Sequence, residues 1–157
     1  MSKRIFIVAF FAFLFLAGSV YAAIGITELR TEQLKNPLGI DVRQPRLGWR
    51  IESDEQNVMQ TAYHILVASS PELLAQGKGD MWDSGKIETD ASQWITYQGE
   101  PLKCNAPYYW KVKVYTNKGE ANWSNPAFWS MGLFNEADWR GQWIGLDRAA
   151  PGDSETQ

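Results

Sequence analysis

The chain has 157 residues, 45% of them hydrophobic and 21% charged, with a formal net charge of −3, which bounds it to one domain with short extras. Lys and Arg form no cluster after the first four positions, which excludes a nucleic-acid footprint, and there is no basic amphipathic helix to lie on a membrane surface. A single cysteine, Cys104, and a single histidine, His64, exclude a disulfide frame and the usual zinc ligand set.

Residues 1–22 read as a secretory signal. Lys3 and Arg4 give a positive start and residues 5–17 form a charge-free apolar run. Gly18 and Ser19 then loosen the helix, and Val20-Tyr21-Ala22 offers the small residues a signal peptidase inspects. Cleavage is expected after Ala22. Apolar character continues weakly to Ile26, so an uncleaved anchor is the competing reading, but the run is shorter than the ~20 residues that span a bilayer. The expected destination is export, periplasmic or extracellular in a bacterium, with no stable membrane anchor once the leader is removed.

From residue 23 onward, short extended runs alternate with turn residues. Residues 26–30 alternate apolar and polar, the period of a half-buried strand, and Asn36-Pro37-Leu38-Gly39 with Gln44-Pro45 punctuate a loop. Leu47, Trp49 and Ile51 share one face of the next run. In 61–68, Tyr63, Ile65 and Val67 share a face and leave Ala62, His64 and Leu66 on the other. Ser70 and Pro71 open one helical turn across 71–76. Residues 81–86 read as a short strand into a turn, and 93–97 as another strand. The clearest strand is 108–116, with Tyr108, Trp110, Val112 and Val114 on one face. The hairpin turn Asn117-Lys118-Gly119-Glu120 and a return strand at 126–131 follow.

About seven short strands with regular turn signals and almost no helix make the pattern of an all-β, antiparallel sandwich of the immunoglobulin or fibronectin type III kind. Leu102, in the bend before Tyr108, fits the tyrosine corner of such sandwiches. Trp49, Tyr63, Leu102, Tyr108 and Trp110 are therefore expected to be structural. The sandwich is expected over residues 23–132. Residues 133–157 start a further element and run into Pro, Gly, Ser and acid without an apolar partner, so they read as the lead-in to a missing following domain. Trp139 and Trp143 are its expected interdomain aromatics.

Several strings stand in one order: Asn36-Pro37-Leu38-Gly39-Ile40-Asp41, Pro45-Arg46-Leu47-Gly48-Trp49, Tyr63-His64-Ile65-Leu66-Val67-Ala68, Trp82-Asp83-Ser84-Gly85-Lys86, Tyr109-Trp110-Lys111-Val112, Trp123-Ser124 and Asp138-Trp139-Arg140-Gly141-Gln142-Trp143. Across residues 26–145 this order resembles the N-terminal fibronectin-type module of bacterial α-L-rhamnosidases of glycoside hydrolase family 78. The resemblance implies a fragment of a large exported enzyme that hydrolyses terminal α-L-rhamnose. In such enzymes the catalytic carboxylates lie in a helical toroid far downstream, so no catalytic residue is carried onto this chain. It also implies that the chain's partners are the downstream domains.

Weighed by chemistry, the chain is expected to be inactive alone. Glycoside hydrolysis needs two carboxyl groups set around one bond, and the candidates Asp41, Asp80 with Asp83, Glu88 with Asp90, and Glu136 with Asp138 all fall in turn-like stretches where acids are ordinary. Cys104 with His64 as a nucleophile and base would need spatial adjacency and an orienting group. No metal or cofactor is expected. The alternative to a structural module is a carbohydrate-binding module, in which Trp94 with Tyr97, or Trp123, would offer rings to rhamnose-containing glycans. Eight Trp and an aromatic content of 13% suit either use.

Overall fold

The computed structural model describes residues 24–141; the expected leader and Trp143 lie outside them. Eight strands form two antiparallel sheets. The first orders β1 (Gly25–Thr31), β2 (Arg46–Glu52) and β5 (Ile95–Thr96) as β1-β2-β5. The second orders β4 (Trp82–Glu88), β3 (Gln60–Ala68), β6 (Pro107–Thr116) and β7 (Gly119–Glu120) as β4-β3-β6-β7, with β8 (Ala127–Ser130) also paired to β6. One short helix, α1 (Pro71–Ala75), follows β3. The expected all-β immunoglobulin-like sandwich is what the chain forms.

Alternation along β6 drives the packing. Tyr108, Trp110, Val112 and Val114 are buried, while the residues between them are only half-buried. They meet Leu47 and Trp49 of β2, Tyr63, Ile65 and Val67 of β3, and Trp129 of β8 in one apolar layer. Its rings meet edge to face, with Trp49 and Tyr63 centroids 5.2 Å apart at 73° and Tyr97 and Trp129 6.2 Å apart at 73°, the arrangement that aligns a positive ring edge with a negative ring face. The Trp49 indole N–H donates to Gln60 Oε1 at 3.0 Å, and Gln60 Nε2 donates to the carbonyl oxygens of Ala91 and Thr89 at 2.6 and 3.3 Å. One buried amide thus satisfies the largest ring in the first sheet and ties the second sheet to the β4–β5 connection.

Four details depart from the sequence pattern for local reasons. The return strand expected at 126–131 forms as β8, but the expected hairpin turn at 117–120 itself contains a two-residue strand, β7, which pairs with the end of β6; between β7 and β8 Ser124 replaces a ladder rung, its N–H donating to Val112 O at 2.8 Å and its Oγ accepting from Val112 N at 3.1 Å. The expected strand at 93–97 shrinks to two residues because Trp94 sits at φ +61°. Gly85 is not a closing turn but a bulge inside β4, at φ +59°, where a side chain would be strained. Finally, the face of β3 opposite Tyr63, Ile65 and Val67 is also buried, at Ala62, Leu66 and Ala68. Leu66 and Ala68 pack with Leu74 of α1, bordered by Leu73, Tyr109 and Trp123.

The chain leaves the sandwich beside the loop between β1 and β2. Gly39 N and Ile40 N donate to Ser130, Ser130 N to Pro37 O, and Gly132 N to Ile40 O at 2.7 Å. A Cβ at Gly132 would lie 2.8 Å from Gly39 O, so only glycine permits this approach. At the same end the Tyr108 hydroxyl accepts a 2.7 Å hydrogen bond from Lys103 N, with Leu102 buried beside it, which fixes the bend into β6. Glu32 anchors the loop between β1 and β2 at its start. Its carboxylate accepts from Arg46 N at 2.6 Å and pairs with the Arg46 guanidinium at 2.6 and 3.1 Å.

Tyr108→Phe is expected to lower stability by about 1 kcal/mol, the net worth of the lost hydrogen bond, measured as a shift in the urea midpoint at unchanged slope. The Arg46 hydrogen bonds hold the Glu32 carboxyl below its ordinary 4.5, so its stabilisation is present at neutral pH and is lost as pH falls through the lowered value. Glu32→Gln is therefore expected to show a shallower acid-side decline in unfolding midpoint than the parent chain, with the two curves converging at low pH.

Candidate functional site

Chemistry of the catalytic kind is not assembled among the described residues. Cys104 lies in the loop before β6, half-buried, whereas His64 sits in mid-β3 opposite Lys113; six residues of strand put these positions about 20 Å apart. His64 instead meets Asp83 at 2.6 Å and lies edge-on to Trp123, with centroids 5.0 Å apart. Most of the candidate carboxylates are occupied locally. Asp80 accepts from Ser69 N and Oγ, Glu88 pairs with Lys86, and Asp138 accepts from Phe134 N and Asn135 N.

A general acid for glycoside hydrolysis needs a carboxyl pushed up, and the displaced carboxyls here are pushed down. Arg30 does this to Glu28 and Arg46 to Glu32. At Asp83 burial pulls upward but is outweighed by the Gly85 N–H and His64. Among the described residues no group of three or more His, Cys, Asp or Glu could hold a metal ion, and no helix is long and apolar enough to cross a membrane.

The three aromatic candidates part company. Tyr97 is buried at 2% exposure, its hydroxyl set between the carbonyl oxygens of Glu100 at 2.8 Å and Met81 at 3.0 Å, and burial pushes its ionisation well above the usual phenol range. It is core, and the joint Trp94–Tyr97 platform is not formed. Trp123 is half-buried against the outer cluster, with Lys111 Nζ 5.1 Å from its ring centroid while that ammonium also donates to Leu74 O at 2.8 Å. Trp94 alone is open, at 54% exposure, with the Arg46 guanidinium 4.5 Å from its ring centroid.

Two concave regions flank the exit end of the sandwich. One, of about 830 Å³, is lined by Asp41, Val42, Arg43, Arg46, Thr96 and Glu100 among others. The other, of about 700 Å³, lies between Cys104, Asn105, Leu133, Asp138, Trp139 and Arg140. Exposed apolar side chains gather here: Leu38 at 75%, Val42, Leu133 and Trp139 at 58%. A third groove, of about 320 Å³, runs between β4 and the β5 segment and includes Trp82, Ile87 and Trp94. Sequence reasoning missed it, since Trp82 read only as a strand residue, Ile87 fell past the strand expected at 81–86, and nothing in their spacing ties them to Trp94.

Comparison with known proteins accounts for this arrangement. Residues 26–135 match the family described as Rha78A-like, N-terminal immunoglobulin domain. An alpha-L-rhamnosidase of Formosa agariphila is 42% identical over 113 residues, which cover 71% of this chain and 12% of the relative, and one of Streptomyces avermitilis is 39% identical over 124 residues, covering 78% and 12%. The crystal structure of the Streptomyces avermitilis alpha-L-rhamnosidase complexed with L-rhamnose superposes with a TM-score of 0.72 at 38% identity, covering 78% of this chain and 12% of that one. The alpha-L-rhamnosidase of Dictyoglumus thermophilum also gives 0.72, at 35% identity, covering 77% and 14%. The chain thus spans about an eighth of the length of these relatives, 12% for the curated ones. By sequence and by fold alike, it belongs to the Rha78A-like N-terminal immunoglobulin domains found in alpha-L-rhamnosidases.

Proposed function

We propose that this chain is the non-catalytic N-terminal accessory module of an exported α-L-rhamnosidase, an enzyme that releases terminal α-L-rhamnose from glycans or glycosides. The module packs against the following domain and holds it in place, and residues 133–157 lead into that domain after a signal peptide at 1–22 has been removed. The observation that carries this reading is the exit end of the sandwich. Leu38, Val42, Leu133 and Trp139 leave apolar surface open around the point where the chain departs, and a surface shaped for a neighbouring domain has this character. Support also comes from the relatives, in which the matched region is 12% of the length, and from carboxylates engaged locally and lowered rather than raised.

The alternative of sugar recognition loses Tyr97 to the core and finds Trp123 packed between Lys111 and His64. Only Trp94 remains to it.

Two measurements test the structural role. The chain alone is expected to release no p-nitrophenol from p-nitrophenyl α-L-rhamnopyranoside; turnover that survives repurification would overturn the reading. In light scattering it is expected to self-associate more than a longer chain that includes the following domain, and Trp139→Ser with Leu133→Ser is expected to bring it back towards monomer. Equal behaviour of the short and long chains would count against an interdomain surface.

A further inference from the structure

The groove at the open side of the sandwich lies between the outermost strands of the two sheets, β4 and β5. Its volume of about 320 Å³ is at the small end for ligand pockets. The lining is aromatic and uncharged: Trp82, Ile87 and Trp94 form apolar walls, with Tyr63, Thr96 and Gln98 as polar members.

Trp94 is the residue the fold does not explain. Its φ of +61° is a left-handed backbone angle that a bulky side chain adopts only against a penalty. Burial does not offset that penalty, because more than half of the side chain stays exposed at 54%. The ring is nevertheless held. The Arg46 guanidinium lies 4.5 Å from its centroid, and Arg46 is itself clamped by Glu32 through contacts of 2.6 and 3.1 Å. An exposed indole kept at a backbone angle suited to glycine, and backed by a fixed cation, is a preorganised surface.

Tyr63 supplies a second, independent observation. It is 7% exposed and lines the groove, yet its hydroxyl makes no hydrogen bond to any described residue. That hydroxyl is not one of the buried unpartnered groups, so it stays open to the groove, where it can both donate to and accept from a ligand. The side chains of Thr96 and Gln98 are likewise without hydrogen bonds among the described residues.

We propose that the β4–β5 groove is a binding site for a neutral pyranose ring, stacked on Trp94 with its hydroxyls met by Tyr63, Thr96 and Gln98. A pyranose combines a face of C–H groups, which packs on an indole, with a rim of hydroxyls that need donors and acceptors. The lining carries no charge and the nearby Arg46 is already paired with Glu32, which disfavours uronic acids and phosphorylated sugars, whose anionic groups would be desolvated without a free counter-charge. This assignment rests on the groove itself and is independent of the interdomain role.

The test is a titration of the chain with methyl α-L-rhamnopyranoside, methyl β-D-glucopyranoside and glucuronate, followed by tryptophan fluorescence and by NMR. At least one neutral glycoside is expected to give a saturable change, and glucuronate none. Trp94→Gly relieves the backbone angle and removes the ring. It is expected to weaken binding by about tenfold or more, in line with the worth of one aromatic stacking contact, while leaving the thermal midpoint unchanged or raised. Tyr63→Phe is expected to weaken binding several-fold. No saturation with any neutral glycoside would overturn the proposal, as would saturation indifferent to Trp94→Gly. A lowered midpoint together with lost binding would assign Trp94 to the fold instead. Self-association abolished by Trp94→Gly, with the sugars inert, would assign the groove to a second copy of the chain, which also overturns it.

Discussion

The structure depends on filling the space between two small sheets with indole and phenol rings. Trp49, Trp110 and Trp129 are each fully buried, and burying a large apolar side chain contributes on the order of 1.5–3 kcal/mol relative to leaving it exposed. With one cysteine in the chain, no disulfide ties the two sheets together, so these rings carry the inter-sheet cohesion. That places strict demands on the polar atoms buried with them. Gln60 meets the demand at Trp49, and the hydroxyl of Tyr97 does so where the Met81 and Glu100 carbonyls converge. The demand is not met everywhere: among the described residues the Trp110 indole N–H and the Thr31 hydroxyl are buried without a hydrogen-bond partner.

From that core the surface divides into regions with different tasks. On the outer face of β3, Leu66 and Ala68 are covered by α1 and Trp123. The exit end carries open apolar side chains around the departing chain, beside the buried Tyr108 whose hydroxyl accepts from Lys103 N. The open side, between β4 and β5, is where the two sheets do not meet. There the inner faces show through as a groove instead of being sealed by a further strand.

Much of the fold was legible because strand alternation is a local property. The run from Tyr108 to Val114 states its own inward face, and the Leu102–Tyr108 spacing marks the bend before it. The places where local reading failed each have a nonlocal cause. Leu66 fell on the strand face opposite Tyr63, Ile65 and Val67, and its burial with Ala68 was not legible because the helix that covers both arrives later in the chain. Tyr97 looked like a partner for Trp94 because they are close in sequence, but φ +61° at Trp94 and the carbonyls of Met81 and Glu100 send the two rings to different environments. The groove drew Tyr63, Trp82, Ile87 and Trp94 from three separate segments, and no spacing rule connects them.

The amino-acid order by itself therefore determined the strands, their buried faces, the bend at Tyr108 and the family resemblance, since each is set by residues near one another along the chain. Only the tertiary structure decided which aromatics became core and which stayed open, because the exposure of a ring depends on what distant segments place against it. For Trp94 that meant Arg46 on β2, anchored by Glu32 in the loop before it, a contact made across the first sheet and invisible in the line of residues.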